Sequence, residues 1–209
     1  MKDTIFYFYD ALCSWCYGFS PVLKKLIEKY GDELDFEVIS GGMQTGDRKQ
    51  PVSDIRDYLK GAYLNVTERT GVQFGTDFME VLEDGNRLLN SVPAAVALSV
   101  VKELKPKEAL NFASSIQRAI YYDGIDWNKA EAFIPYVEKA GIEADLFLEK
   151  FQEDTFLQKA KADFNLAANF GITGFPAVVL KRKGKYYLMA QGFLPFDQLE
   201  ETLEKAKRN

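Results

Sequence analysis

Segments with the pattern of buried strands flank a central region of helical periodicity. Residues 4–9 are β-branched or aromatic, which is typical of a buried strand. Apolar positions then recur at helical spacing over residues 14–30, and we predict a helix that contains Pro21 and ends with Gly31 as a left-handed cap. Residues 34–39 form the next predicted strand. Together they predict a parallel, right-handed strand-helix-strand unit.

The middle of the chain, residues 51–170, shows helical spacing and predicts no strand. One predicted helix opens at Pro106 and closes near Gly124. Asp126 is placed to begin the next helix, and Asp154 to cap a later one. We therefore expect an all-helical block here.

The pattern returns to strands near the end of the chain. Strands are predicted at residues 177–180 and 186–190 around a basic turn, followed by a helix at 195–207. This order predicts an α/β, thioredoxin-like fold, with a mixed four-stranded sheet and an inserted all-α domain packed on it. The predicted domains are a discontinuous thioredoxin-like domain, residues 1–45 and 160–209, and a helical insert, residues 46–159.

Composition narrows the function classes. Hydrophobic residues make up 47% of the chain, which is ample for a compact core, and the net charge of −5 argues against a nucleic-acid partner. The longest apolar run, residues 93–101, is about half of what a bilayer span needs, so no membrane partner is expected. The first ten residues do not resemble a secretory signal, and we expect a cytoplasmic protein.

The chain's two cysteines, Cys13 and Cys16, stand at C-x-x-C spacing. A structural zinc site needs four Cys or His ligands, and the chain has no His, so no metal is expected. A structural disulfide over so short a loop would remove little unfolded-state entropy. The spacing therefore favours a redox dithiol over these two alternatives.

The predicted elements assign roles to the two thiols. Cys13 lies between the first strand and the helix, where unpaired N–H groups and the helix dipole favour its thiolate, so Cys13 is the candidate nucleophile. Cys16 lies one turn further on and is the candidate resolving thiol. In the expected fold, Pro176 at the start of the third strand comes next to Cys13. A cis bond there would expose the backbone of Phe175 to an extended substrate, whereas an ordinary trans proline is the commoner case.

Residues 10–21, which contain Cys-Ser-Trp-Cys, and residues 171–176 together resemble the DsbA family of thioredoxin-fold thiol oxidoreductases. The similarity is greatest to its cytoplasmic C-S-W-C branch, which includes FrnE-like proteins and predicted disulfide isomerases. Residues 90–95 and 121–124 also resemble the helical domain of this group. The resemblance implies that Cys13 is the nucleophile, that Cys16 resolves, and that Pro176 is cis and contacts substrate.

Three features depart from that family pattern. Ser14-Trp15 replaces the Pro-His of the periplasmic oxidants, so their strongly oxidising potential is not expected here. Tyr7 stands where thioredoxin-like proteins often keep a buried acid, which leaves the proton acceptor for Cys16 unassigned. The second cysteine pair of some FrnE-like proteins is lacking. Ser14 and Trp15 are expected to contact substrate, with Trp15 as an exposed apolar rim.

We therefore predict a protein-disulfide oxidoreductase or isomerase that needs no cofactor. Its expected partners are disulfide-containing proteins or peptides, with glutathione or a thioredoxin-type reductant. One alternative is a glutathione-dependent transferase or isomerase of the kappa or 2-hydroxychromene-2-carboxylate type, which resembles this fold but has Ser in place of Cys13. The other is a binding module that uses the groove alone.

Overall fold

The computed structural model describes residues 2–208. The strands are β1 Asp3–Tyr9, β2 Leu34–Ser40, β3 Gln50–Pro51, β4 Leu88–Leu89, β5 Ala177–Arg182 and β6 Lys185–Gln191. The α-helices are α1 Ser14–Tyr30, α2 Arg56–Thr70, α3 Thr76–Asp84, α4 Val92–Leu104, α5 Ala109–Tyr121, α6 Ile134–Lys139, α7 Ala144–Gln152, α8 Asp154–Asn169 and α9 Phe196–Arg208. None of these helices is long and apolar enough to cross a bilayer.

The main sheet has four strands in the order β2-β1-β5-β6. β1 and β2 are parallel, β5 runs antiparallel to β1 with Phe8 opposite Ala177, and β6 is antiparallel to β5. This mixed sheet, with β-α-β at one end of the chain and β-β-α at the other, confirms the predicted thioredoxin-like fold.

The central strand β1 is buried on both faces because a layer of helices covers each side. Side chains alternate across a strand, so Tyr7 faces α1 and Phe8 faces α8. The Tyr7 ring stacks on Phe19 at 5.8 Å, and the Phe8 ring meets Phe170, just after α8, at 5.3 Å. The end of β1 is therefore held firmly from both sides, and the dithiol follows it directly.

The helical insert packs on the sheet domain, as the lack of a linker predicts. The side chains of α4 are buried on nearly every side, and α4 lies against α8. Lys102 on α4 donates to both carboxylate oxygens of Asp163 on α8 at 2.9 Å. Asp163 also accepts the backbone N–H of Ser40 at 3.1 Å, so it ties both helices to β2. The limits of the two domains stay a prediction. The predicted limit between residues 159 and 160 lies inside α8.

Three helix ends differ from the sequence prediction. Gly31 is right-handed, with φ −62°, since the chain leaves α1 through a further turn instead of a left-handed cap. Asp126 does not begin a helix, because its carboxylate accepts the N–H of Asn128 in a local turn. A short 3₁₀ segment, Ala130–Phe133, and then α6 follow. Asp154 is the first residue of α8, and Glu153 holds the cap position.

The middle of the chain contains a strand pair that the periodicity did not reveal. β3 and β4 pair antiparallel, with Gln50 opposite Leu89. Each strand is two residues long, which is too short to produce an alternating pattern. The predicted basic turn between β5 and β6 is confirmed as a two-residue hairpin, since Lys183 and Gly184 both have positive φ, 49° and 75°.

Candidate active site

Cys13 occupies the N-cap position of α1, immediately after the turn that follows β1. Its backbone N–H donates to the Asp10 carbonyl at 3.1 Å, which fixes the turn. Its own carbonyl accepts the N–H groups of Cys16 at 3.0 Å and Tyr17 at 3.2 Å, which starts the helix. The Cys13 sulfur thus lies at the N-terminus of a 17-residue helix, which is the positive end of the helix dipole.

The two thiols differ in their access to solvent. Both cysteines are reduced; Cys13 is 7% exposed and lines two cavities, whereas Cys16 is 0% exposed. Burial, together with the neighbouring Cys13 sulfur, raises the pKa of the Cys16 thiol well above its ordinary value. The backbone N–H of Asp10 opposes that rise. An attacking substrate can therefore reach Cys13 but not Cys16.

The Phe175–Pro176 peptide bond is cis and lies next to the dithiol. The Cys13 thiol donates to the Phe175 carbonyl oxygen at 3.4 Å. The register of β1 and β5 produces this contact, because Phe8 opposite Ala177 places the start of β5 beside the end of β1. The ring of Phe175 lies over Gly41, where a Cβ atom would come within 2.1 Å of the Phe175 Cζ atom.

A groove of about 790 Å³ opens beside Cys13. Its walls come from the loop after β2, from α2 and α8, and from the Thr173–Phe175 segment. The residues that line it include Cys13, Met43, Arg48, Tyr58, Lys161 and Phe175. Tyr58, on the helical insert, is 70% exposed, so the insert contributes an aromatic side chain to the rim of the groove.

The family model for the DsbA-like thioredoxin domain matches residues 4–204, which is nearly the whole chain. The chain belongs to the DsbA family. The matched region includes both free cysteines of the C-x-x-C pair, Cys13 and Cys16. The predicted resemblance is thereby confirmed.

Two solved structures resemble this DsbA-like chain over its full length. A candidate protein disulfide isomerase from Nitrosomonas europaea has a TM-score of 0.87 and 27% identity, and covers 100% of this chain and 98% of its own. The cytosolic disulfide reductase DsbM from Pseudomonas aeruginosa has a TM-score of 0.81 and 29% identity, with 98% of each chain covered. DsbM has also been solved with glutathione, and that structure has a TM-score of 0.79.

Curated relatives are more distant. The ClpXP adapter protein SpxH of Bacillus subtilis is 20% identical over 95% of this chain, and that of Halalkalibacterium halodurans is 21% identical over 84%. This DsbA-like chain spans 66% and 57% of the length of these two proteins.

The two residues between the cysteines lie at the edge of the groove. Trp15 is half-buried, because its ring packs against Phe193 at 6.2 Å and the Arg69 guanidinium stands 5.5 Å above it. The predicted apolar rim is thus partly covered by these two side chains. Ser14 is the first residue of α1 and lines a smaller cavity beside the groove. Their contact with substrate stays a prediction.

Tyr7 is not a proton acceptor for Cys16. Burial raises the pKa of the Tyr7 phenol well above its ordinary value, with Cys16 and Cys13 as further causes. A neutral phenol oxygen can accept a hydrogen bond, but it is far too weak a base to take the thiol proton. Within residues 2–208, no group of three or more His, Cys, Asp or Glu side chains could hold a metal ion.

Asp10 is a site residue that the sequence reasoning missed, having assigned it only to the end of the strand. It is 2% exposed, and its carboxylate accepts three hydrogen bonds, from the Leu12 N–H at 3.0 Å, the Met43 N–H at 2.7 Å and the Ser91 hydroxyl at 2.8 Å. Ser91 occupies the N-cap position of α4, but its hydroxyl donates to Asp10 and does not cap the helix. The sequence did contain a signal for this role of Asp10. The residue is an acid that directly follows a buried strand and lies three residues before Cys13.

Proposed function

We propose that this protein is a disulfide oxidoreductase or isomerase, which catalyses dithiol–disulfide exchange on protein or peptide disulfides through Cys13 and Cys16. The observation that carries the proposal is the arrangement of the two sulfurs, with Cys13 open to the groove and Cys16 completely buried one helical turn away. The Phe175 carbonyl beside Cys13 supports the same assignment, because an extended peptide needs backbone partners next to the attacking sulfur.

The proposed reaction has two displacements. The Cys13 thiolate attacks one sulfur of the substrate disulfide, which forms a mixed disulfide and releases the other substrate sulfur as a thiolate. The Cys16 thiolate then attacks the Cys13 sulfur, which forms the Cys13–Cys16 disulfide and releases the second substrate thiolate. The substrate gains two electrons, the enzyme loses two, and the Cys16 proton leaves before the second attack.

Glutathione is the proposed reductant that restores the dithiol. Arg48 and Lys161 line the groove with exposed side chains, and neither forms an ion pair within residues 2–208. Two such cations suit a tripeptide with two carboxylates, because Arg and Lys are the side chains that bind carboxylates. The structure of the similar DsbM with glutathione favours this reductant over a thioredoxin-type protein.

We propose a cytoplasmic location, since a glutathione-reduced dithiol works in a reducing compartment. The description of DsbM as cytosolic supports this.

Reduction of insulin disulfides with glutathione as electron donor tests the function. We expect wild-type protein to catalyse the reaction, Cys13→Ser to abolish it, and Cys16→Ser to accumulate a mixed disulfide on Cys13 that mass spectrometry identifies. Arg48→Ala combined with Lys161→Ala is expected to raise the KM for glutathione while leaving insulin binding unchanged. Full activity of Cys13→Ser would contradict the proposal.

A second candidate is an adapter that binds another protein without redox chemistry, which the description of the SpxH relatives favours. An adapter would keep its function in the Cys13→Ser variant. The glutathione-dependent isomerase alternative is weaker because Cys13 replaces the serine that those enzymes carry. Glutathione transfer to an electrophile by a Cys16→Ala variant would support it.

A further inference from the structure

Two helices of the insert each donate one hydrogen bond to Asp10. The Ser91 hydroxyl, at the start of α4, donates to the Asp10 Oδ1 atom at 2.8 Å. The Gln117 side chain, on α5, donates to the Asp10 carbonyl oxygen at 3.3 Å. Ser91 and Gln117 are both at least 98% buried, at 2% and 1% exposed. Buried polar side chains in an apolar core are costly unless they are paired, and these are paired with one residue of the active-site turn.

The same network extends to Cys16. Gln117 also accepts the Ser20 hydroxyl at 3.0 Å, and that hydroxyl lies 3.3 Å from the Cys16 carbonyl oxygen. Gln117 and Ser20 therefore link the main-chain carbonyl oxygens of Asp10 and Cys16 through one chain of hydrogen bonds. The side chains of Asp10 and Cys16 are inaccessible to water, at 2% and 0% exposed.

Hydrogen-bond donors and a few titratable groups surround Asp10 and Cys16 and affect their pKa values. Burial raises the pKa of the Asp10 carboxyl, while the N–H groups of Met43 and Leu12 and the Ser91 hydroxyl lower it. Asp10 acts on Cys16 in two opposite ways: its backbone N–H lowers the pKa of the Cys16 thiol, and the charge of its carboxylate, a smaller effect, raises that pKa. The other titratable groups that face the pair are Cys13, from the turn before α1, Tyr7 and Tyr9, from β1, and Tyr121, from α5. Burial raises the pKa values of these three tyrosines well above the ordinary value, so the tyrosines stay neutral at the pH values at which the thiols react.

Two negative charges in one water-free site repel strongly, because the effective dielectric constant is low there. We propose that Asp10 is a positioning residue for the resolving step, whose buried carboxylate, held by three donors from three segments, opposes formation of the Cys16 thiolate. Asp10 thus prolongs the life of the mixed disulfide and gives a protein substrate time to exchange its disulfides. This inference rests on the proposed function.

One equivalent of the aromatic disulfide 5,5′-dithiobis(2-nitrobenzoate) separates the two steps. The Cys13 thiolate attacks one sulfur and releases the first nitrothiobenzoate anion. The Cys16 thiolate then attacks the Cys13 sulfur, closes the Cys13–Cys16 disulfide and releases the second anion. Each release changes the absorbance, and the rate of the second reports the fraction of Cys16 that is ionised.

The decisive measurement is the pH profile of the second release in an Asp10→Asn variant. Removal of the charge is expected to shift this profile to lower pH and to make the second release about tenfold faster near neutrality. An unchanged profile would overturn the proposal. A shift to higher pH, with a slower second release, would also overturn it, because Asp10 would then be the group that accepts the Cys16 proton.

Ser91→Ala is the second variant, and it keeps the carboxylate. Loss of the Ser91 donor makes the ionised carboxylate less favourable, so the profile is expected to shift in the same direction by a smaller amount. This variant can test the proposal if Asp10→Asn does not fold.

Asp32→Asn is the control. It removes an exposed carboxylate beyond the opposite end of α1 and is expected to leave the profile unchanged. A wild-type protein that never releases the second anion would refute the proposed function itself, whereas a normal second release with an unshifted Asp10→Asn profile refutes only this inference.

Discussion

The Cys13 thiol donates a hydrogen bond to the Phe175 carbonyl oxygen at 3.4 Å, across 162 residues of sequence. Three features make this contact possible: the antiparallel pairing of β1 with β5, the turn that places Cys13 at the start of α1, and the seat of the Phe175 ring over Gly41. The carbonyl therefore occupies a position where substrate backbone can replace or extend the contact. Changes that move Phe175 should act on the chemistry of Cys13 without touching either sulfur.

Gly41→Ala is expected to lower kcat/KM for insulin reduction by about tenfold or more. An added Cβ would lie 2.1 Å from the Phe175 Cζ atom, so the ring must move. We expect the Phe175 carbonyl, which accepts the Cys13 thiol, to shift with the ring. Displacement of a positioning group by about 1 Å can cost up to about a hundredfold in rate. Steady-state kinetics of insulin reduction measures the effect.

Two further variants check that the Gly41 effect arises from the ring. Adding Phe175→Leu to Gly41→Ala is expected to recover part of the lost activity, because the smaller side chain leaves room for the new methyl group. Gly61→Ala, in the exposed interior of α2 with no atom near the added Cβ, is expected to keep full activity and to stabilise the protein by about 0.5–1 kcal/mol. Equal losses in the single and double variants would contradict the steric explanation.

Iodoacetamide is expected to modify Cys13 alone in the native protein near neutral pH. Cys16 is 0% exposed, so the reagent cannot reach its sulfur. Burial also raises the pKa of the Cys16 thiol, so the reactive thiolate is scarce. Peptide mapping by mass spectrometry should find one adduct in the folded protein and two in guanidinium chloride. Native modification of Cys16 as fast as that of Cys13 would contradict the assigned roles.

The fold and the dithiol could be predicted from sequence because their signals are local. A run of buried strand residues, an amphipathic helix and the C-x-x-C spacing each lie within a few consecutive positions. These signals place the nucleophile at the junction of β1 and α1. The antiparallel pairing of β5 with β1 followed from the expected topology and brought residues 175 and 176 to the same junction.

The groove and the Asp10 network could not be predicted in the same way, because they depend on contacts between distant segments. Tyr58 has no sequence relation to Cys13 and reaches the groove only through the packing of α2 on α1. Ser91 has the spacing of an ordinary helix cap, and only the structure shows that its hydroxyl serves Asp10 instead. The partly covered Trp15 likewise depends on Phe193, far along the chain.

Removal of the less exposed partner in one of two ion pairs between α4 and α8 is expected to destabilise the protein by about 1–3 kcal/mol. The Asp163 side chain is 13% exposed, pairs with the partly exposed Lys102 and also accepts the Ser40 N–H, so Asp163→Ala leaves the lysine and a backbone donor without their partner. Glu103→Ala breaks the Lys159 pair between the same helices, but both partners are well exposed, and a loss below about 1 kcal/mol is expected. Urea unfolding of the two variants makes the comparison. Equal losses would show that Asp163 contributes no more than a surface charge.

Above about pH 8.5, the reduced protein is expected to lose stability as pH rises, and Cys16 is the cause. An unfolded cysteine ionises near that pH. Burial raises the pKa of folded Cys16 well above its ordinary value, so the native state keeps a proton that the unfolded state has lost. The stabilising contribution is therefore complete below the unfolded pKa, and it declines by up to about 1.4 kcal/mol per pH unit as pH rises toward the folded pKa.

Urea unfolding of wild-type protein and of Cys16→Ala between about pH 7.5 and 9.5, both under reducing conditions, measures this decline. The variant should show a shallower fall, because it lacks the titrating thiol. The buried tyrosines do not obscure the comparison, since unfolded tyrosine ionises only near pH 10. Parallel curves for the two proteins would mean that the Cys16 thiol ionises equally in the folded and unfolded states, which is incompatible with its burial beside Asp10.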